Sequence, residues 1–193
     1  MSVKEIVNKL MTDETLVHQL KKGDIGAFQL LVDRHKNYAF TIANRIVNST
    51  EEAEEIVQDA FFKVYRSAEN FKGDSKFTTW FYRVVFNTAV SSKRKHRITT
   101  STIDDAPIGA GGFEEQDQLG GSDRQQFIHQ ALNQLSDEDR LVLTLFYFKE
   151  LTLEEMAVIT SQDKSNLKVR LFRARKKLAT QLTYLLNDEA VSL

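Results

Sequence analysis

Apolar positions in the first half of the chain recur every three or four residues, which is the spacing of amphipathic helices. One apolar stripe runs over residues 25–47 and a second over residues 51–66. Lys22-Gly23-Asp24 combines a helix stop with an N-cap, so a separate short helix, with Asp13 as its predicted cap, precedes the first stripe. His35 lies on that stripe with no second histidine at ligand spacing, which favours a packed histidine over a metal ligand.

The helix predicted over 51–66 carries one large aromatic residue on the polar face opposite its apolar stripe. That face consists of Glu55, Gln58, Asp59, Phe62 and Arg66. An exposed ring among acidic and amide side chains indicates a protein-contact surface, because the ring gains nothing from water. Packing of Phe62 against a neighbouring element of the same module is the alternative.

The segment 71–97 combines aromatic rings with a basic end. A turn between two phenylalanines leads into a helix that Asp74 or Ser75 is predicted to cap. The predicted buried stripe of this helix is Phe77, Phe81, Val84, Val85 and Ala89. Tyr82 and Phe86 are predicted to point away from the stripe. One flank of the stripe carries Trp80, Arg83 and Asn87. Aromatic faces beside concentrated positive charge suit unstacked bases and phosphates, whereas a core helix with a solvated basic end is the alternative.

Residues 98–124 interrupt the helical pattern and are predicted to form a flexible linker. They contain the only proline, five of the eight glycines and six acidic residues against the single basic residue Arg124. Such a segment buries too little apolar surface to offset the entropy lost on ordering it. We therefore expect a tether between two compact modules, residues 1–97 and 125–193, with a long surface loop as the alternative.

The second module has the capping pattern of a helix-turn-helix. Ser136 is predicted to cap a helix over 137–148, and Thr152 with Glu155 forms a capping box in front of another helix. After a short break, Asp163 is predicted to cap a long final helix.

That final helix carries a run of cations and has no acidic residue before Asp188. The cations are Lys164, Lys168, Arg170, Arg173, Arg175, Lys176 and Lys177. Like charges three or four residues apart on a helix repel each other, so a helix that is merely solvated normally mixes its signs. The phosphates of DNA are therefore the favoured counter-charge, and a solvated basic face is the alternative.

Composition limits the fold class and the compartment. The 193 residues are 41% hydrophobic and 27% charged with only one proline, which favours a mostly helical globular protein. The absence of cysteine excludes disulfides and thiolate metal sites and fits a cytoplasmic protein. Because no signal-peptide core or membrane-length apolar run occurs, no membrane insertion is expected. The prediction is an all-α fold of two small helical modules joined by an acidic, Gly-rich linker.

Three motifs together resemble the extracytoplasmic-function (ECF, group 4) sigma factors of bacterial RNA polymerase. AEEIVQDAFFKVY (53–65) resembles their core-polymerase-binding helix, and FKGDSKFTTWFYRVVFNTA (71–89) resembles their promoter-melting segment. LTLEEMAVITSQDKSNLKVRLFRARKKL (151–178) resembles their C-terminal helix-turn-helix. The resemblance implies a sigma domain 2-like bundle and a sigma domain 4-like module that bind core polymerase, direct it to promoters and help to melt the DNA. It implies no enzymatic activity, no cofactor and no metal.

The resemblance also implies roles for individual residues. Glu55, Gln58, Asp59 and Phe62 would dock on the clamp helices of the polymerase β′ subunit, and the second module would sit on the β flap. The minus-ten element would be contacted by Phe71, Lys72, Gly73, Asp74, Ser75, Phe77, Trp80, Arg83, Asn87, Lys93, Arg94, Lys95 and Arg97. The minus-thirty-five element would be contacted by Lys164, Ser165, Asn166, Lys168, Val169, Arg170, Arg173, Arg175, Lys176 and Lys177. An anti-sigma factor is a further partner that members of this family often have.

The chain departs from the family pattern in its helix-turn-helix. The family usually has a glycine and then an apolar residue in the turn, where this chain has Ser161 and Gln162. Ser165 and Asn166 also differ from the commonest residues at the start of the recognition helix, so no promoter sequence is implied.

Two other functions fit part of the pattern. A helix-turn-helix regulator that acts without polymerase would leave the exposed Phe62 and the aromatic excess of residues 77–86 unexplained. A helical nuclease or other DNA-modifying enzyme would need a metal or acid–base cluster, but the four histidines are scattered and no carboxylate pair stands out at metal-ligand spacing within a cleft-forming motif.

Overall fold

A computed structural model describes residues 11–100, 123–148 and 151–192, and within these ranges the chain is all-α. Side chains are described in the same ranges except at 97–100, 123–126, 129, 148 and 188–192. The chain divides near residue 105 into two compact units. The predicted fold class, two helical modules, is confirmed.

The first unit is a bundle of helices around one core. Its helices are α1 (Asp13–Lys21), α2 (Ile25–Val47), α3 (Thr50–Ser67) and α4 (Phe77–Thr100), with a 3-10 turn at Ala68–Asn70. Helices α2, α3 and α4 pack on one another, and α1 packs on α2 and α4. The side chains of Leu31, Ile42, Val64 and Phe81 are fully buried, and each contributes about 1.5–3 kcal/mol by leaving water. The apolar stripes predicted for α2 and α3 face this core.

The boundary between α1 and α2 follows the predicted capping chemistry, but the start of α1 does not. Asp24 Oδ1 accepts the Ala27 N–H at 3.2 Å, and Gly23 has φ +87°, a backbone conformation that glycine adopts without strain. The prediction that Asp13 caps α1 is wrong. Thr12 caps this helix by accepting the Thr15 N–H at 3.2 Å. Asp13 is already inside the first turn, and its carboxylate contacts α2.

His35 is a buried, hydrogen-bonded histidine, as predicted, and only 5% of it is exposed. Its Nε2 lies 2.8 Å from Asp13 Oδ2, and its Nδ1 lies 3.2 Å from the Tyr82 hydroxyl. Arg34 Nη1 donates to the other Asp13 oxygen at 2.9 Å. Burial raises the pKa of Asp13, but the hydrogen bonds and charges of His35 and Arg34 outweigh burial and hold this pKa below its usual 3.8.

Helix α4 buries a wider arc than its sequence pattern predicts. Tyr82, predicted to point away from the core, is fully buried, and its ring lies 4.6 Å from that of Tyr38. Val84, predicted to be buried, is half-buried, whereas Thr79 and Thr88 lie inside. The reason is that α4 contacts α1, α2 and α3, so one apolar stripe cannot describe its buried face.

The first turn of α4 is capped from another helix. The helix begins at Phe77, so neither Asp74 nor Ser75 occupies its N-cap position, and the prediction that one of them caps it is wrong. Instead, the Phe77 N–H donates to Glu14 Oε1 of α1 at 3.2 Å. A carboxylate is favoured here because the free N–H groups give a helix start partial positive charge.

The second unit contains α5 (Asp123–Asn133), α6 (Asp137–Phe148), α7 (Leu153–Thr160) and α8 (Lys164–Ser192). Helices α5 and α6 both pack on α8. The inner face of α8 presents Leu167, Leu171 and Ala174, all buried, and Leu178, half-buried.

The predicted linker falls largely outside the described residues. Its predicted ends differ slightly from the helix bounds, because α4 continues to Thr100 and α5 begins at Asp123. Residues 101–122 of the linker are not among those described.

Candidate nucleic-acid and partner interfaces

The face of α3 predicted to contact a partner lies at the surface. Glu55, Gln58 and Asp59 are exposed, and Phe62 is exposed to 59%. The Arg66 guanidinium lies 5.6 Å from the centre of the Phe62 ring. Packing of Phe62 inside its own module is therefore wrong, and the ring is available to a partner.

Tyr65 extends this surface, and the sequence interpretation missed it. It is exposed to 46%, and its ring lies 5.2 Å from that of Phe28 on α2. Because Tyr65 follows Phe62 by three residues on the same helix, the spacing could have indicated it.

The turn before α4 exposes five residues, 72–76, between two buried phenylalanines. Phe77 is fully buried, as its place on the predicted stripe requires, but Phe71 is buried too, with 6% exposure. The prediction that Phe71 and Phe77 contact the minus-ten element is therefore corrected, because both side chains are buried. The Phe71 ring lies 5.4 Å from that of Trp80 and supports this side chain from the core. Gly73, at the exposed tip, has φ +83°, which favours glycine.

Trp80, Arg83 and Asn87 lie along one side of α4 beside this loop. Trp80 is half-buried, and the other two are exposed. Their spacing of three and four residues places them one turn apart. The flank thus combines an aromatic face, a guanidinium and an amide, which can stack on a base, bind a phosphate and read a base edge.

The basic end of α4 is partly used within the fold. Lys93 Nζ donates to the Ile46 carbonyl at 2.6 Å, at the C-terminus of α2, where free carbonyls need donors. This bond uses one of the three ammonium donors of Lys93, and its phosphate contact stays a prediction. His96 Nε2 lies 3.0 Å from Glu52 Oε1, while Arg94 and Lys95 are exposed. The Arg97 side chain lies outside those described.

The turn between α7 and α8 has the capping contacts predicted for a helix-turn-helix. The capping box is present, with the Glu155 N–H bonded to Thr152 Oγ1 at 3.2 Å and the Thr152 N–H to Glu155 Oε2 at 2.9 Å. Asp163 Oδ1 accepts the Ser165 N–H at 2.7 Å at the start of α8, and hydrogen bonds from Ser165 lower the pKa of Asp163. Ser161 adopts φ +55°, so serine holds the left-handed conformation that explains the family's usual glycine.

The outer face of α8 exposes most of the residues predicted to contact DNA. Those at the surface are Lys164, Ser165, Asn166, Lys168, Val169, Arg173, Arg175, Lys176 and Lys177, and Arg170 is half-buried. A groove between this face and the start of α6 is lined by Glu138, Asp139, Asn166, Val169, Arg170 and Arg173.

Several of these cations have carboxylate partners on other helices, which corrects the view that they lack counter-charges. Lys164 pairs with Glu154, and Arg170 pairs with Glu138. Lys177 Nζ lies 2.6 Å from Oδ2 of the buried Asp139.

Two further cations form cation–π contacts with aromatic rings. The Arg175 guanidinium lies 4.7 Å from the Phe146 ring, and Lys176 Nζ lies 4.8 Å from the Phe172 ring. Within the described ranges, neither Lys168 nor Arg173 forms an ion pair, so these two are the most available to phosphates.

Comparison with known proteins identifies the family. The family model of Sigma-70 region 2 matches residues 31–98, and that of Sigma-70 region 4 matches residues 126–178. The RNA polymerase sigma-H factor of Pseudomonas aeruginosa is 33% identical over 187 residues, which cover 91% of this chain and 96% of the relative. The ECF RNA polymerase sigma-E factor of Escherichia coli is also similar, at 31% identity over 184 residues, 89% of this chain and 95% of the relative. The chain belongs to the ECF sigma factors.

A solved structure supports the fold of this sigma factor. The sigma factor RpoE of Bartonella quintana, determined in complex with the anti-sigma factor NepR, matches with a TM-score of 0.70. The match covers 81% of this chain and 96% of that one at 24% identity. As a sigma factor with regions 2 and 4, the chain serves promoter-specific initiation by RNA polymerase. Within the described ranges, no helix is long and apolar enough to cross a membrane.

Proposed function

We propose that this sigma factor binds core polymerase through the Phe62 face of α3 and opens the minus-ten element with loop 72–76 and the α4 flank. The outer face of α8 then binds the minus-thirty-five element. The observation that carries the proposal is the exposure of Phe62, at 59%, among carboxylate and amide groups. Each surface has the chemistry that its proposed partner requires.

The α3 face calls for a surface of the β′ clamp helices that offers an apolar patch to Phe62 and basic groups around it. Phe62 acts as the aromatic anchor, and such anchors contribute about 2 kcal/mol or more when a partner buries them. Glu55 and Asp59 flank the ring and favour a basic rim on the partner.

Loop 72–76 and the flank of Trp80, Arg83 and Asn87 bind the non-template strand. Opening the duplex costs about 1–2 kcal/mol per base step, and stacking an extruded base on an aromatic side chain returns about 1–3 kcal/mol. Trp80 is the side chain best placed for stacking, because its ring is half-exposed and supported by Phe71. Phe71 and Phe77 position the loop from the core.

The minus-thirty-five element binds α8 in its major groove. Ser165, Asn166 and Val169 face the bases, and Lys168 and Arg173 bind phosphates. Neither unit needs to bind tightly alone, because the acidic, Gly-rich segment between them raises the effective concentration of the second contact.

The sigma factor acts in the cytoplasm as a non-catalytic subunit, and the polymerase supplies the chemistry. Relatives solved with anti-sigma factors, such as the Bartonella quintana protein, support an anti-sigma factor as a further partner of this chain.

The test is the affinity of core polymerase for Phe62→Ala. We expect at least about tenfold weaker binding, the size of a modest hot spot, with unchanged thermal stability. Val90→Ala, which shortens another exposed apolar side chain of the first unit, is the control and should bind normally. Unchanged affinity for Phe62→Ala would contradict the proposal, and tight promoter footprints without polymerase would favour the independent regulator.

A further inference from the structure

Helix α1 contacts loop 72–76 at both points where the loop meets the core. At one end, Lys21 Nζ donates to the Phe71 carbonyl at 2.7 Å. At the other, the Phe77 N–H donates to Glu14 Oε1 at 3.2 Å. The bonded residues are 50 and 63 positions apart in the chain, so the two contacts depend on the tertiary fold.

Helix α1 is itself firmly held. Leu16, Val17 and Leu20 are buried against the bundle. Asp13 forms hydrogen bonds with both Arg34 and His35 of α2. Glu14 and Lys21 therefore project from a fixed support.

The two contacts also fix the surroundings of Trp80. The Phe71 carbonyl that receives Lys21 belongs to the residue whose ring lies 5.4 Å from Trp80. The Phe77 N–H lies in the first turn of α4, three residues before Trp80. A shift at either end would move the loop relative to the ring proposed to stack on a base.

We propose that Glu14 and Lys21 are positioning residues of the minus-ten site, which they hold in its base-binding conformation before DNA arrives. This inference rests on the proposed role of loop 72–76. Helix α1 lies before residues 31–98, the range that the Sigma-70 region 2 model matches. A loop held at both ends loses less conformational entropy when it binds a base, so the contacts increase affinity without touching DNA.

The test uses holoenzyme with Lys21→Met or Glu14→Ala and a promoter selected from genomic fragments by the wild-type holoenzyme. Permanganate reactivity of the minus-ten thymines measures opening, and a competition assay measures polymerase affinity. We expect about five- to tenfold less opening at equal holoenzyme occupancy, the size of one ordinary hydrogen bond lost at a partly exposed site. Lys21→Arg keeps the donor and Glu14→Gln keeps the acceptor, so both variants should retain most of the wild-type promoter opening.

Two controls separate positioning from a general loss of stability. Lys22→Met removes the same charge from the neighbouring exposed residue and should open DNA like the wild type. Gly73→Ala strains the loop directly because of its φ of +83°, so combining it with Lys21→Met should cost less than the sum of the single changes.

The outcomes distinguish the inference from the proposed function. If Lys21→Met and Glu14→Ala open DNA normally while Gly73→Ala does not, the positioning role is refuted and the loop keeps its function. Strictly additive effects, or effects that the conservative variants fail to rescue, also refute it. If Gly73→Ala and Trp80→Ala leave opening unchanged, the proposed role of the loop is wrong.

Discussion

Two cations one turn apart on α8, Arg173 and Lys177, should behave differently when each is replaced by glutamine. Lys177 lies 2.6 Å from the buried Asp139 carboxylate, whereas Arg173 forms no ion pair within the described part of the chain. We expect Arg173→Gln to weaken DNA binding and reduce its salt dependence. We expect Lys177→Gln to lower the stability of the second unit instead.

The surroundings of Arg173 and Lys177 set the size of the two expected effects. One lost phosphate contact removes about 0.9 from the slope of log affinity against log salt, so between about 50 and 200 mM salt the wild type should lose about 3.5-fold more affinity than Arg173→Gln. Lys177→Gln leaves the Asp139 carboxylate without its ammonium partner. Because the Lys177 side chain is 58% exposed, solvent screens this pair, and we expect a loss of about 1 kcal/mol. That loss lowers the melting temperature of a unit this small by about 4–8 °C.

The assay titrates holoenzyme onto a labelled duplex that contains the minus-thirty-five element, at several salt concentrations, with each variant. Circular dichroism melting of the full chain measures stability. The polymerase contributes equally to each titration, so the difference in slopes isolates the substituted residue. If Lys177→Gln lowered the slope as much as Arg173→Gln and left melting unchanged, Lys177 would be a phosphate contact and the reasoning would fail.

Three further results are expected. Ser161→Gly should raise the free energy of unfolding by about 0.5–1 kcal/mol in urea titrations, because serine is strained at φ +55°, and no gain would contradict this. Thr152→Ala should lower the free energy of unfolding by about 1 kcal/mol because it removes the cap of α7, and Thr152→Ser should keep most of that stability because serine retains the hydroxyl. The lowered pKa of Asp13 stabilises the fold above pH 3.8, so the advantage of wild type over Asp13→Asn should shrink as pH falls below 3.8. An advantage that stays constant would exclude this linkage.

The sequence predicted the features that depend on neighbouring residues. Asp24, Thr152 and Asp163 cap helices by contacts within two or three residues, and all three were predicted. The cap of α4 could not be predicted in this way, because its acceptor, Glu14, lies 63 residues from Phe77. Tyr82 was misplaced for the same reason, since three helices decide its burial.

The candidate surfaces also divide into features set by neighbouring residues and features set by the tertiary fold. The exposure of Phe62 was predictable, because it lies opposite a clear apolar stripe on one helix. The partners of the α8 cations were not, since Glu138 is 32 residues from Arg170 and no periodicity relates them. Local spacing thus predicted which residues share a face, and the tertiary fold determined which of them remain available to DNA.

The bond from Phe77 to Glu14 has a consequence for the order in which the first unit folds. Helices form within microseconds from local contacts, whereas contacts between distant residues form later because long loops must first close. A ribosome exposes α1 well before Phe77, so α1 must wait, unable to cap α4, until most of the unit has emerged. Loop 72–76 is therefore among the last parts of the unit to be organised, because its end at Phe77 is fixed only when α1 and α4 have come together.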